Sequence, residues 1–290
     1  MFSGALTALV TPMSGGKVDV KNLEAFVEFQ ISEGINGLVP CGTTGEGATL
    51  IEEEHSLVVR TVVKQARKRV PVIAGAGANS TAKAIRMSKL CAEAGADALL
   101  HVTPFYNKPT PQGLVAHFKA ISEAVDLPIV AYNVPGRTGC DMQPDTVAQL
   151  AQIPRVVGVK EATGSMIRGA AIIAACGSDF DVLSGDDGTC MTLTALGGAG
   201  VISVVSNLVP RLTAGMIAAT RDAKMERARE IHYKLRHLID LLFIESNPIP
   251  VKAGVSLIGY GANEVRLPLV PFSGPKLNQL KEEMTKLGLL

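Results

Sequence analysis

Charge of one sign is what this 290-residue chain lacks most plainly. Its 28 Lys and Arg stand against 27 Asp and Glu, a formal net charge of +1. A nucleic-acid binder normally carries a basic excess or stripe, so that class is disfavoured. No apolar run reaches the roughly 18–20 residues of a membrane helix. Residues Met1-Phe2-Ser3-Gly4-Ala5-Leu6 lack the basic region and long apolar stretch of a secretory signal. A soluble, cytoplasmic protein is expected. Cysteine is sparse and unpatterned: Cys41, Cys91, Cys140, Cys176 and Cys190 cannot all pair, and no two form a C-x-x-C. With the histidines equally dispersed, neither a disulfide framework nor a zinc site is indicated, and no metal is expected. Disorder is excluded by 47% hydrophobic and 19% charged residues.

What is present is an alternation. Short apolar, β-branched runs at 5–10, 37–39, 70–74, 98–102, 128–132, 156–160, 181–184 and 200–204 alternate with longer amphipathic stretches. The spacing predicts helices over 22–32, 53–68, 81–93, 113–124 and 166–175. Successive runs start roughly 20–35 residues apart, the size of a βα unit. Eight such units in about 250 residues point to a (β/α)8 TIM barrel, with an open doubly wound sheet as runner-up. Beyond the eighth run, residues 211–241 read as helical. Pro248, Pro250, Pro268, Pro271 and Pro275 then leave short helices near 251–258 and 276–287. The expected organisation is a catalytic barrel over 1–224 with a C-terminal helical extension over 225–290 packed on it.

A barrel places its chemistry at the C-terminal ends of the strands. Several of those ends carry polar residues that a packed core would not choose: Cys41-Gly42-Thr43-Thr44-Gly45-Glu46, Thr103 with Tyr106, Tyr132-Asn133, Lys160-Glu161 and Ser184-Gly185-Asp186-Asp187. Lys160 ends the run Val156-Val157-Gly158-Val159, which carries its side chain to the barrel mouth. An ordinary lysine, of pKa ~10.4, keeps about one amine in a few thousand neutral at pH 7. Desolvation raises the neutral fraction that can attack a carbonyl. On position alone, a lysine paired with Glu161 or another carboxylate is an equal reading. Tyr132 ends the preceding strand 28 residues earlier, one repeat away, and a phenol beside a lysine can move the protons of a carbinolamine. The glycines around Thr43 and Thr44 let backbone N–H groups turn toward a small carboxylate, with threonine hydroxyls as further donors.

Together these residues resemble the dihydrodipicolinate synthase (4-hydroxy-tetrahydrodipicolinate synthase) family, within the pyruvate-dependent class I aldolases. The resemblance spans essentially the whole chain. Its marks are Gly42-Thr43-Thr44-Gly45-Glu46, Tyr106-Asn107-Lys108-Pro109, Tyr132-Asn133-Val134-Pro135-Gly136-Arg137-Thr138, Gly158-Val159-Lys160-Glu161-Ala162, Ser184-Gly185-Asp186-Asp187 and Asn247-Pro248-Ile249-Pro250-Val251-Lys252. The first and fourth are shared by the superfamily, whereas the third, with Arg137, and the last are typical of the synthase.

The resemblance implies a Schiff base between Lys160 and pyruvate, and condensation with L-aspartate-4-semialdehyde in the diaminopimelate route to L-lysine. Tyr132, Thr43 and Tyr106 would relay protons, with Tyr106 reaching in from a neighbouring subunit. Thr43 and Thr44 would hold the pyruvate carboxylate, and Arg137 that of the semialdehyde, since a guanidinium fork matches a carboxylate. The backbones of Gly185 and Ile202 would line the lysine pocket. No organic cofactor or metal is implied, and a homotetramer built as a dimer of dimers is. Many family members bind L-lysine as a feedback inhibitor, at positions corresponding to Ala48, Glu52, His55, Asn79, Lys83 and Phe105. Lys83 stands where sensitive enzymes carry a glutamate, and Phe105 replaces a tyrosine. A like charge facing the effector would oppose its binding, so weak or absent inhibition is expected.

Two motifs point elsewhere. Gly75-Ala76-Gly77-Ala78-Asn79-Ser80 resembles a degraded dinucleotide loop, but Ser80 replaces the third glycine and no acidic ribose partner ends the next strand. Asp186-Asp187 suggests Mg²⁺, against which helix capping is the simpler reading. A sister aldolase, such as an N-acetylneuraminate lyase or a 2-keto-3-deoxy-sugar-acid aldolase, would keep Lys160, Tyr132 and the Gly-Thr-Thr-Gly-Glu turn but not Arg137. A non-enzymatic binding protein on the same barrel is the further alternative.

Overall fold

The computed structural model describes all 290 residues. Strand β1 (Gly4–Ala8) is followed by a small hairpin, β2 (Met13–Ser14) and β3 (Lys17–Val18). The other strands are β4 (Gly37–Val39), β5 (Ile73–Gly75), β6 (Ala98–Val102), β7 (Ile129–Asn133), β8 (Val156–Glu161), β9 (Asp181–Ser184) and β10 (Gly200–Ser203). Omitting the hairpin, eight strands pair in parallel in the order β4-β1-β10-β9-β8-β7-β6-β5. A parallel bridge between Leu38 and Val72 joins the two ends, helped by the Gly75 N–H donating to the Pro40 carbonyl at 3.0 Å. The sheet is therefore a closed (β/α)8 barrel, not an open doubly wound sheet.

Helices α1 (Val20–Ser32), α2 (Glu52–Ala66), α3 (Thr81–Glu93) and α4 (Pro111–Ala124) follow β3, β4, β5 and β6. Beyond β7 come α5 (Pro135–Thr138) and α6 (Pro144–Leu150), and α7 (Met166–Cys176) and α8 (Cys190–Ala195) follow β8 and β9. The chain ends in α9 (Pro210–Arg221), α10 (Met225–Leu242), α11 (Ile249–Leu257) and α12 (Gly274–Lys286). Each long helix buries a stripe spaced at three and four residues, such as Leu23, Phe26, Val27 and Gln30 of α1. Asp19, Ser80, Thr110 and Ser165 cap α1, α3, α4 and α7 by accepting the N–H three residues on. Caps of this kind contribute about 0.5–2 kcal/mol each.

Two cores result. A 60-residue cluster fills the space between strands and helices, and an 11-residue cluster fills the barrel itself. The inner cluster includes Leu6, Ala8, Ile73, Leu100, Val130, Tyr132, Leu183 and Ile202. Side chains alternate along a strand, so Val130 and Tyr132 face inward, and Lys160, in register with Tyr132, shares that face. The helical stretch at 211–241 consists of two helices, because Ala223 takes a left-handed φ of 59° and ends α9 before α10 starts. The hairpin turns at Gly15-Gly16, both at positive φ, a two-residue turn that suits glycine.

Candidate active site

The strand ends gather the polar residues at one mouth, opening into a cavity of about 930 Å³. Thr43, Tyr132 and Arg137 line it, together with Ala48, Glu52, His55, Asn79, Lys83 and Phe105. Lys160 lies behind this lining, 6% exposed, with its Nζ 4.4 Å from the centre of the Tyr132 ring. No carboxylate lies within ion-pairing distance of it. Glu161, the neighbour that could have neutralised it, faces the other side of the strand. There Glu161 accepts hydrogen bonds from Asn133 Nδ2 at 3.0 Å and from the Thr163 N–H at 2.8 Å. The reading of Lys160 as one half of an ordinary ion pair is thereby removed. Gly185 fits against its stem: a Cβ there would stand 2.9 Å from Lys160 Cε. Ile202, 1% exposed, belongs to the barrel interior, in the same cluster as Tyr132.

The turn after β4 is wound tightly. The Glu46 N–H donates to the Thr43 carbonyl at 3.2 Å, and that of Gly47 to the Gly42 carbonyl at 3.1 Å. A Cβ at Gly45 would meet the Cys41 backbone nitrogen at 2.8 Å, and one at Gly47 the Cys41 carbonyl oxygen at 2.2 Å, so only glycine permits this path. The N–H groups of Thr43, Thr44 and Gly45 have no acceptor in the protein. Three successive free donors form a nest suited to a carboxylate. Thr44 is buried, and its Oγ1 accepts from Asn247 Nδ2 at 2.9 Å. The Asn247 carbonyl in turn accepts from Arg137 Nη2 at 3.1 Å. Arg137 is otherwise without a carboxylate partner, an unneutralised guanidinium at the rim.

The three residues read as a proton relay are not joined within one chain. No hydrogen bond links Thr43 to Tyr132, and Tyr106 is 89% exposed on the outside, at φ +75°. Asp186 and Asp187 act as caps. Asp186 Oδ1 accepts from the N–H and hydroxyl of Thr189, the residue preceding α8, both at 2.8 Å. Asp187 Oδ2 accepts the N–H groups of Val204 and Val205, at 2.8 and 2.9 Å, after β10. Gly75 and Gly77 let loops pass close: a Cβ would lie 2.3 Å from the Cys41 oxygen and 2.5 Å from the Val102 nitrogen, respectively. Sequence reasoning gave Asn247 and Lys252 no role beyond their place in the 247–252 motif. Lys252 is in fact ion-paired with Glu46 beneath the turn. The motif spanning 247–252 carried the signal, but its partners lie more than 200 residues away.

A model of the dihydrodipicolinate synthetase family matches residues 1–287. The chain belongs to this family. The 4-hydroxy-tetrahydrodipicolinate synthase of Maridesulfovibrio salexigens is 51% identical over 290 residues, 100% of this chain and 99% of that protein. Among solved structures, the chloride-inhibited dihydrodipicolinate synthase of Acinetobacter baumannii complexed with pyruvate is 45% identical. It superposes with a TM-score of 0.98 over the full length of both chains. The enzyme of Cyanidioschyzon merolae with lysine bound is 40% identical at a TM-score of 0.96, covering 100% of this chain and 99% of that one. As a member of the family the chain is a lyase of the class I aldolase type.

Proposed function

We propose that the chain condenses pyruvate with L-aspartate-4-semialdehyde, as a 4-hydroxy-tetrahydrodipicolinate synthase working in the cytoplasm. The observation that carries this reading is the inward, unpaired Lys160 with its Nζ 4.4 Å from the Tyr132 ring centre. Its neutral amine adds to the C2 carbonyl of pyruvate, and the carbinolamine loses water to give the Schiff base. Tyr132 and Thr43 move those protons, and Tyr106 completes the relay from a second subunit. The free N–H groups of the 43–45 turn receive the pyruvate carboxylate. Loss of a C3 proton gives the enamine, which attacks the aldehyde carbon. The semialdehyde's amine then closes onto C2 and releases Lys160. Arg137, free at the rim, receives the semialdehyde carboxylate, which favours this acceptor over those of the sister aldolases.

Large apolar side chains left exposed, among them Ile51 (60%), Tyr106 (89%), Ile167 (87%) and Leu196 (48%), support self-association as a homotetramer. Sedimentation at micromolar concentration tests this assembly, and a stable monomer with full activity refutes it. The chemistry itself is tested by mass spectrometry after pyruvate and sodium borohydride. One pyruvyl-derived adduct is expected on the wild type and none on Lys160→Ala. A folded wild type without adduct overturns the reading.

A further inference from the structure

A buried ion pair lies under the carboxylate-binding turn. Glu46 is 4% exposed and holds φ +55°, a conformation that costs a non-glycine residue energy. Glycine would satisfy that backbone freely, so the glutamate at this position answers to its side chain. Its Oε1 is ion-paired with Lys252 of α11, a side chain only 2% exposed. Its Oε2 accepts the Arg266 backbone N–H at 3.0 Å. Its carbonyl accepts from the N–H and hydroxyl of Thr49, at 2.9 and 3.1 Å. Burial pushes the Lys252 ammonium below the usual lysine range, and the Glu46 charge opposes that shift. Taking two charges out of water is costly, and pairing them does little more than offset that cost. What the pair adds is a fixed place for Glu46, whose N–H closes the turn on the Thr43 carbonyl at 3.2 Å.

We propose that Lys252 is a positioning residue for pyruvate: it fixes Glu46, and through Glu46 the row of N–H donors at Thr43, Thr44 and Gly45. The inference rests on the reading of that row as the pyruvate carboxylate site. It makes the C-terminal helical region part of the active site. The segment 247–252 reaches the turn twice, through Asn247 on Thr44 and through Lys252 on Glu46. The route from Lys252 passes through Glu46, whereas Arg137 meets the segment at its other end, on the Asn247 carbonyl, so the effect falls chiefly on pyruvate.

The test uses the full chain with Lys252→Met, the double variant Glu46→Gln/Lys252→Met, and Leu238→Ala in α10 as a remote destabilised control. KM for each substrate, kcat, Tm and borohydride trapping are read on all of them. Lys252→Met leaves a buried charge unpaired, so its Tm falls. The double variant replaces the ion pair by uncharged groups of similar size, and its Tm returns toward that of the wild type. The expected result is a pyruvate KM raised by about tenfold or more in both, because misplacement of about 1 Å is costly. The semialdehyde KM stays within about twofold, and Leu238→Ala loses Tm without changing either KM. A folded double variant with the wild-type pyruvate KM overturns the inference while leaving the Schiff-base reading intact. Absence of a pyruvate adduct on the wild type overturns that reading and the inference with it.

Discussion

Gly185 is the sharpest steric constraint on Lys160, and adding one methyl there measures it. A Cβ at this position would meet Ala162 Cβ at 2.6 Å and Lys160 Cε at 2.9 Å, where ordinary contacts start at 3.4 Å. Gly185 does not occupy the positive-φ region, so alanine costs nothing in the backbone itself. The whole effect is a collision: the lysine stem relieves its part by retreating about 0.5–1 Å, and the contact with Ala162 is relieved only by a shift of the backbone there. Overpacking of this kind costs about 1–3 kcal/mol. At about 2–4 °C per kcal/mol for a chain of this size, the Tm of Gly185→Ala falls by roughly 2–12 °C. Displacing a reacting amine by about 1 Å costs up to about 10²-fold in rate. The variant is therefore expected to trap pyruvate about 10- to 100-fold more slowly in a timed borohydride assay. Gly215→Ala in α9 is the control. Its Cβ meets only Ile231 Cδ1, at 3.8 Å, so it gains about 0.5–1 kcal/mol of helix stability and leaves trapping unchanged. A Gly185→Ala protein that traps pyruvate at the wild-type rate refutes the steric account of the lysine pocket.

Acid should unfold the protein partly through His101. This ring is fully buried against Ser88, with His117 nearby, and desolvation pulls its pKa down from 6.5 to about 3. A group with a depressed histidine pKa is neutral in the fold, so stability is intact above pH 6.5 and is lost as pH falls toward 3. His101 alone accounts for about 2 kcal/mol between pH 6.5 and 4.5. Denaturant titrations should show His101→Gln losing that much less than the wild type over the interval, and equal losses would remove the explanation. L-lysine should inhibit weakly. The cavity wall carries Lys83 with no carboxylate partner, and the Glu52 carboxylate is already paired with Arg86 at 2.6 Å. Lys83→Glu is expected to increase sensitivity in steady-state assays, while half-inhibition of the wild type by sub-millimolar L-lysine counts against this electrostatic account.

Much of the site was legible because its signals are local. Lys160 at the end of an apolar run, Tyr132 one repeat earlier and the glycines around Thr43 and Thr44 each follow from a strand period and the residue that breaks it. Capping by Asp186 and Asp187 was legible in kind, since such residues accept N–H groups at helix starts. Its target was not, because Asp187 holds Val204 and Val205 across β10 rather than the helix that follows it. The division between α9 and α10 was legible as a change of pattern at 225, although no glycine marks the left-handed Ala223 that makes it.

The sequence by itself determined that eight βα units would form a barrel with a lysine at the end of one of its strands, because periodicity and strand-end chemistry are written in neighbouring residues. Only the tertiary structure decided that Lys160 stands unpaired while Glu161 turns away to Asn133 and Thr163. It alone brought Asn247 to Thr44 and Lys252 to Glu46, across 203 and 206 residues. It also left Tyr106 facing outward. Burial and pairing at that range depend on which surfaces meet when the barrel closes, and no local pattern records that.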